Sequence, residues 1–282
     1  MKKISILENG LVGTLFLQDN ASSIVIVLGG SGGGLKEERA RLLAEDGFSS
    51  LALAYFGIEG LPSTINQIPL EYFEKAIYFL EQNYGIQRVG LWGTSRGAEV
   101  SLSFASLFPE RIHAIAAHVP TSVVYCALDN QKSPAWTYQG KPIAPNAPLA
   151  IDPIYSGQDE PSAFATTPWF LRGMEDKSAF GASQIAVEKI TCPLLLISAQ
   201  DDQVWPSSKF AEEITDRLSE HRSPIFYTHL SYQNVGHAPE KGVAGFHSAL
   251  NRWVAFGGKP QDNAFAAVDW RVQTHLFFKE RL

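Results

Sequence analysis

Cysteine is nearly absent: Cys126 and Cys192 are the only two in 282 residues. A disulfide scaffold needs more cross-links than that in a chain this long, so both read as free thiols in a reducing compartment. Neither sits in a CxxC or a metal-ligand cluster. No apolar run approaches the roughly 18 residues that span a bilayer. Met1-Lys2-Lys3-Ile4 opens like a secretion signal, but Glu8, Asn9 and Gly10 interrupt it and no small-x-small cleavage site follows. A cytoplasmic location is the default. Runs of Lys and Arg are missing too, and the formal net charge is −6, which argues against a general nucleic-acid binder. An anionic small molecule stays open, since it needs only a few local cations. Without repeats or low-complexity linkers, the chain is expected to form one domain over 1–282.

Present instead is an alternation of strand-like and helix-like segments. Residues 3–18 read as a hairpin around Glu8-Asn9-Gly10. Ser23-Ile24-Val25-Ile26-Val27-Leu28 is an unbroken β-branched run, which suits a strand covered on both faces. Further strands are expected at 49–55, 89–92, 112–118, 193–198 and 225–230. Helices are expected at 35–46, 68–83, 98–108 and around Phe210-Ile214-Leu218, with two more near Phe246-Leu250-Trp253 and over 264–281. The pattern implies an α/β fold with a mostly parallel central sheet flanked by helices. Residues 119–187, rich in Pro, Gly, Ser and Asn, lack periodicity apart from a short helix around Phe170, and are expected to form a lid or binding insertion.

Gly93-Thr94-Ser95-Arg96-Gly97 follows one of these strands and opens a helix. A serine in that setting sits in a tight, strained turn that lifts its hydroxyl above the sheet, and the flanking glycines avoid clashes with the turn. The hydroxyl needs a base, and the base needs an orienting carboxylate. In this strand–turn–helix setting the order along the chain is Ser, acid, His. His237 follows the last strand, whereas His113, His118 and His229 fall in or at the ends of strands and His221, His247 and His275 in or near helices. Two acids follow the strand at 193–198. Asp201, nearer the strand end, is preferred as the triad acid; Asp202 reads as a turn or N-cap residue. Oxyanion donors are expected from the Arg96 N–H and from Gly30 or Ser31 in the loop Gly29–Gly34. A phosphate-binding loop is rejected there, because no Gly-Lys-Ser/Thr follows and Leu35 or Glu37 occupies the last glycine position of GxGxxG.

Taken together, Gly29–Gly34, Leu51 to Gly57, Leu70 to Glu74, Val89 to Gly97, Gln200-Asp201-Asp202, Gly236-His237 and Ala267 to Trp270 resemble the catalytic domain of the acyl-CoA thioesterase and bile acid-CoA:amino acid N-acyltransferase family. More broadly the chain is similar to dienelactone hydrolase-like α/β-hydrolases, in which the first Asp of such a pair is the triad acid. The resemblance covers roughly 22–281. It implies an α/β-hydrolase fold and cleavage of a thioester or ester by acyl transfer, with acyl-CoA as the substrate class. The mammalian members carry an N-terminal β-sandwich before this region; here about twenty residues precede it. The bile acid acyltransferases have Cys at the nucleophile position, so Ser95 fits the thioesterases better. An esterase without coenzyme A, an acyltransferase to an amine and a non-catalytic binder are the alternatives, and the last would show a gap in the triad. No metal or organic cofactor is implied. Trp136, Tyr138, Trp169 and Phe170 are candidates to line the substrate pocket.

Overall fold

Alternate residues of the run at 23–28 go to opposite sides: Ile24, Ile26 and Leu28 join one apolar cluster, Val25 and Val27 another. With side chains alternating at period two, only a strand buried on both faces does this. The computed structural model describes residues 1–7, 10–151, 163–247 and 252–282. Its elements begin with β1 (Lys2–Ile6), β2 (Val12–Leu17), β3 (Ser23–Leu28), α1 (Glu37–Glu45), β4 (Ser50–Ala54), a short β5 (Ile68–Pro69) and α2 (Glu71–Tyr84). Then come β6 (Arg88–Thr94), α3 (Arg96–Leu107), β7 (Ala114–His118), β8 (Trp136–Tyr138), β9 (Lys141–Pro142), α4 (Thr167–Gly173) and α5 (Lys177–Ala182). The chain continues through β10 (Leu194–Ala199), α6 (Ser207–Glu220), β11 (Tyr227–Tyr232), β12 (Ala244–His247), β13 (Arg252–Ala255) and α7 (Pro260–Arg281).

The main sheet has the order β1-β2-β4-β3-β6-β7-β10-β11. From β4 to β11 neighbours run parallel, while β1 and β2 add an antiparallel edge. The expected hairpin at the start is therefore present, although Glu8 and Asn9 lie outside the described residues. Helices α2, α3 and α6 cover one face through Phe73, Ile77, Phe104, Ile214 and Leu218. Helices α1 and α7 cover the other through Leu43, Ala266, Trp270 and Phe278. Helix α2 stops at Gly85, whose left-handed backbone (φ 66°) turns its N–H back to the Glu81 carbonyl, a conformation glycine adopts without strain. The chain order reverses between β3 and β6, and an open α/β sheet has its crevice at such a switch point, beyond the carboxyl ends of the strands.

One sequence expectation fails here. The helix expected around Phe246 and Trp253 is not found at those two residues, which lie in β12 and β13. Phe246 and Trp253 instead face each other across the antiparallel pair β12–β13, with ring centroids 6.4 Å apart. A cross-strand pair seven positions apart imitates two helical turns; Leu250 lies outside the described residues. The described residues of the segment 119–187 hold more regular structure than their composition suggests. Val119 to Ala127 is buried throughout, and Val123 and Tyr125 join Met174, Phe180, Trp205 and Phe210 in a third apolar cluster. Besides the helix near Phe170, the segment supplies α5 and the strands β8 and β9, which form a three-stranded sheet with β5.

Candidate active site

The loops leaving the carboxyl ends of β3, β6, β7, β10 and β11 converge on Ser95. Its backbone (φ 57°, ψ −123°) is strained, at a cost of about 1–3 kcal/mol, and its N–H is held by the His118 carbonyl at 2.9 Å. The two motif glycines are steric necessities. A Cβ on Gly93 would lie 2.3 Å from the Gly97 carbonyl oxygen, and one on Gly97 would lie 2.5 Å from that of Leu28. Helix α3 thus packs directly onto β3, and the hydroxyl is aimed over the sheet edge.

His237 Nε2 lies 2.9 Å from Ser95 Oγ. On the other side of the ring, Nδ1 lies 2.8 Å from Asp202 Oδ2 and 3.0 Å from Oδ1. All three residues are buried. Trp205 stands edge-to-face against the imidazole, centroids 5.6 Å apart, and its indole N–H donates to the Val119 carbonyl. The imidazole is therefore fixed from three sides.

Asp201, the sequence choice for the acid, does not meet the histidine. Strand β10 runs one residue further than expected, to Ala199, and at period two one residue exchanges the sides. Asp201 points away: its Oδ2 accepts from the Gly258 N–H at 2.8 Å and its Oδ1 from Gln203 Nε2 at 3.2 Å. Asp202 does make the turn expected of it, accepting from the Val204 and Trp205 N–H groups, while keeping its carboxylate on His237.

The other candidates divide. Gly30 approaches Ser95 so closely that a Cβ there would lie 2.9 Å from Ser95 Cβ, and Ser31 borders the clefts on both sides of Ser95. The Arg96 N–H opens α3, where the first amides have no acceptor within their own helix. Trp169 and Phe170 line an apolar cleft of about 260 Å³ beside Ser95, together with Tyr125, Leu128, Leu149 and Trp205. Trp136 and Tyr138 do not reach it. Trp136 is fully buried against Tyr55, and Tyr138 packs on Phe108; both belong to the core that supports the cleft.

Sequence reasoning missed the buried ion pair that follows Ser95 on α3. Arg96 Nη1 lies 2.9 Å from Glu99 Oε2, both side chains buried, and Arg96 Nη2 also donates to the Tyr125 and Cys126 carbonyls. Glu99 Oε1 accepts from the Trp136 indole and the Tyr125 N–H. The signal was the i, i+3 spacing of opposite charges on an otherwise apolar helix. Burial pushes the Glu99 carboxyl up to about 7, against the opposing pull of Arg96. A carboxyl raised in the folded state keeps its proton there while the unfolded chain has lost it. Stability from this group therefore falls as pH rises from the ordinary range near 4.5 through about 7. Glu99→Gln should flatten that decline, by ~1–3 kcal/mol between pH 5 and 7.5, in urea unfolding at several pH values. Identical slopes in both proteins would refute it.

A sheet of this order, with these residues on its carboxyl edge, makes the chain an α/β-hydrolase. The dienelactone hydrolase of Anabaena variabilis superimposes with a TM-score of 0.55 at 15% identity, over 100% of this chain and 98% of that one. An esterase of Pyrococcus furiosus gives 0.56 at 15%, over 99% and 90%. The chain belongs to the BAAT/acyl-CoA thioester hydrolase C-terminal family, whose model matches residues 68–282. Among its curated relatives, mouse (Mus musculus) acyl-coenzyme A thioesterase 2, mitochondrial, is 31% identical over 100% of this chain and 61% of its own length. Human (Homo sapiens) acyl-coenzyme A thioesterase 1 is 32% identical over 96% and 63%. The chain thus spans somewhat under two thirds of the length of these relatives.

Proposed function

We propose that the chain is a serine hydrolase that cleaves acyl thioesters, acyl-CoA being the substrate class suggested by its relatives' names, through Ser95, His237 and Asp202. The observation that carries this reading is the unbroken relay from Asp202 Oδ2 through both ring nitrogens of His237 to Ser95 Oγ, at 2.8 and 2.9 Å. With the Nδ1 proton directed at Asp202, Nε2 is left to take the serine proton as Oγ attacks the carbonyl carbon. The Arg96 N–H, with that of Gly30 or Ser31, faces the developing oxyanion. The imidazolium returns its proton to the departing sulfur, and water then repeats the sequence in reverse to free the acid.

The apolar cleft takes the acyl chain, and the described residues of 119–187 form much of its wall, as parts of a single 1–282 unit. The unpaired, buried Cys126 and Cys192 fit a reducing, cytoplasmic setting. Among the described residues no helix is long and apolar enough to cross a membrane. Reaction with a fluorophosphonate should place the adduct on Ser95, and an unmodified serine would refute the reading. Acyl-CoA should exceed the matching p-nitrophenyl ester in kcat/KM. A preference below about tenfold, or ~1.4 kcal/mol, would leave an oxygen ester as the better assignment.

A further inference from the structure

Ser95 stands between two clefts of opposite character. Across from the apolar one lies a second, of about 310 Å³, bounded by Gly30–Gly32, Lys36, Arg39, Glu240 and Lys241. Ser31 and Ser95 border both clefts, whereas His237 borders only the second. That asymmetry fixes a direction. The leaving group receives its proton from the imidazole, so it must depart on the side where the ring is accessible. The acyl chain is then left with the apolar side.

The second cleft is lined by three cations, Lys36, Arg39 and Lys241, and three carboxylates, Glu37, Glu38 and Glu240, each of the latter engaged by a basic side chain. The Lys36 stem lies across Gly29, where a Cβ would come within 2.3 Å of its Cε. Lys36 Nζ donates to the Gly33 carbonyl at 2.6 Å, and an ammonium has three protons to give. Burial, then Lys241 and Arg39, bring its pKa down to about 8 against the opposing pull of Glu240, as expected of an ammonium partly buried beside other cations. Glu240 is engaged by Arg39, which also donates to Thr94 Oγ1. Of the other two carboxylates on the cleft, Glu37 is held by Lys3 and Thr14, and Glu38 by Arg41.

We propose that this cleft is the leaving-group site, and that Lys36 and Lys241 bind a phosphate carried by the departing thiol. The chemistry is that of a phosphopantetheine thiol, free in coenzyme A or as the shorter phosphopantetheine alone. The inference rests on the thioesterase reading. As the Ser95 Oγ–carbon bond forms and the carbon–sulfur bond breaks, the serine proton passes through His237 Nε2 to the sulfur, which leaves as a neutral thiol.

Titration calorimetry on the intact protein tests this without relying on turnover. Coenzyme A and 4′-phosphopantetheine should bind at least about tenfold more tightly than pantetheine, which lacks phosphate. The double variant Lys36→Met/Lys241→Met should weaken both phosphorylated ligands by about 30-fold and pantetheine by no more than about threefold. Equal affinity of the first two places the grip at the pantetheine phosphate; tighter coenzyme A adds the nucleotide phosphates. Coenzyme A binding no better than pantetheine, or an equal loss for all three in the double variant, overturns the proposal. Failure of the thioesterase reading would appear separately, as absent acyl-CoA turnover by the wild-type protein.

Discussion

Ser95→Ala should lower kcat by roughly 10⁴-fold or more on any ester or thioester the protein turns over, with KM little changed. The expectation is this large because, in the proposed mechanism, the hydroxyl is the atom that bonds to the substrate. Among the neighbours, Thr94 Oγ1 is engaged by Arg39, and Cys126 is a buried thiol whose pKa burial raises, so it is a poor nucleophile at neutral pH. The fold should survive. Alanine occupies the same strained turn, and the loss is a single hydrogen bond to His237, about 1 kcal/mol. Steady-state kinetics beside a thermal melt separates the two effects. A variant retaining a tenth of the activity would mean that another group attacks.

The second large effect distinguishes the neighbouring acids. Asp202→Asn should reduce kcat by about 10⁴-fold, the scale expected when the base is held in the wrong tautomer. An amide at 202 turns its NH₂ toward Nδ1 and moves the ring proton to Nε2, where it blocks acceptance from Ser95. Asp201→Asn should stay within roughly tenfold of wild type in kcat, since an amide oxygen still accepts from the Gly258 N–H; its cost, about 1 kcal/mol, falls on stability. The two variants assayed side by side give a clear ranking. A reversed order would show that the loop rearranges when substrate binds.

Much of this site was legible in the sequence, for reasons that are local. Gly93 and Gly97 reflect contacts so close that no other residue fits, and the run at 23–28 can satisfy both faces of a sheet only as a covered strand. His237 follows from chain order once the serine is placed. The acid did not follow, because choosing between adjacent carboxylates requires knowing where β10 ends to within one residue, and strand ends are set by pairing with β11 and β7 rather than by composition. Phe246 and Trp253 misled because helical spacing and hairpin pairing both return a side chain to its neighbour after seven positions. Tyr125 and Phe210 packed a stretch that looked irregular, since their contacts are distant in sequence.

The loop bearing His237 is anchored by residues nearer the C-terminus. Asn263, in the first turn of α7, accepts from the Gly236 N–H and donates to the Gly257 carbonyl, and the Phe256 carbonyl receives the His237 N–H. The imidazole thus gains its bearing only after a later part of the polypeptide has docked. Under the proposed mechanism, the nascent chain would carry Ser95 long before the imidazole that is to serve it is seated.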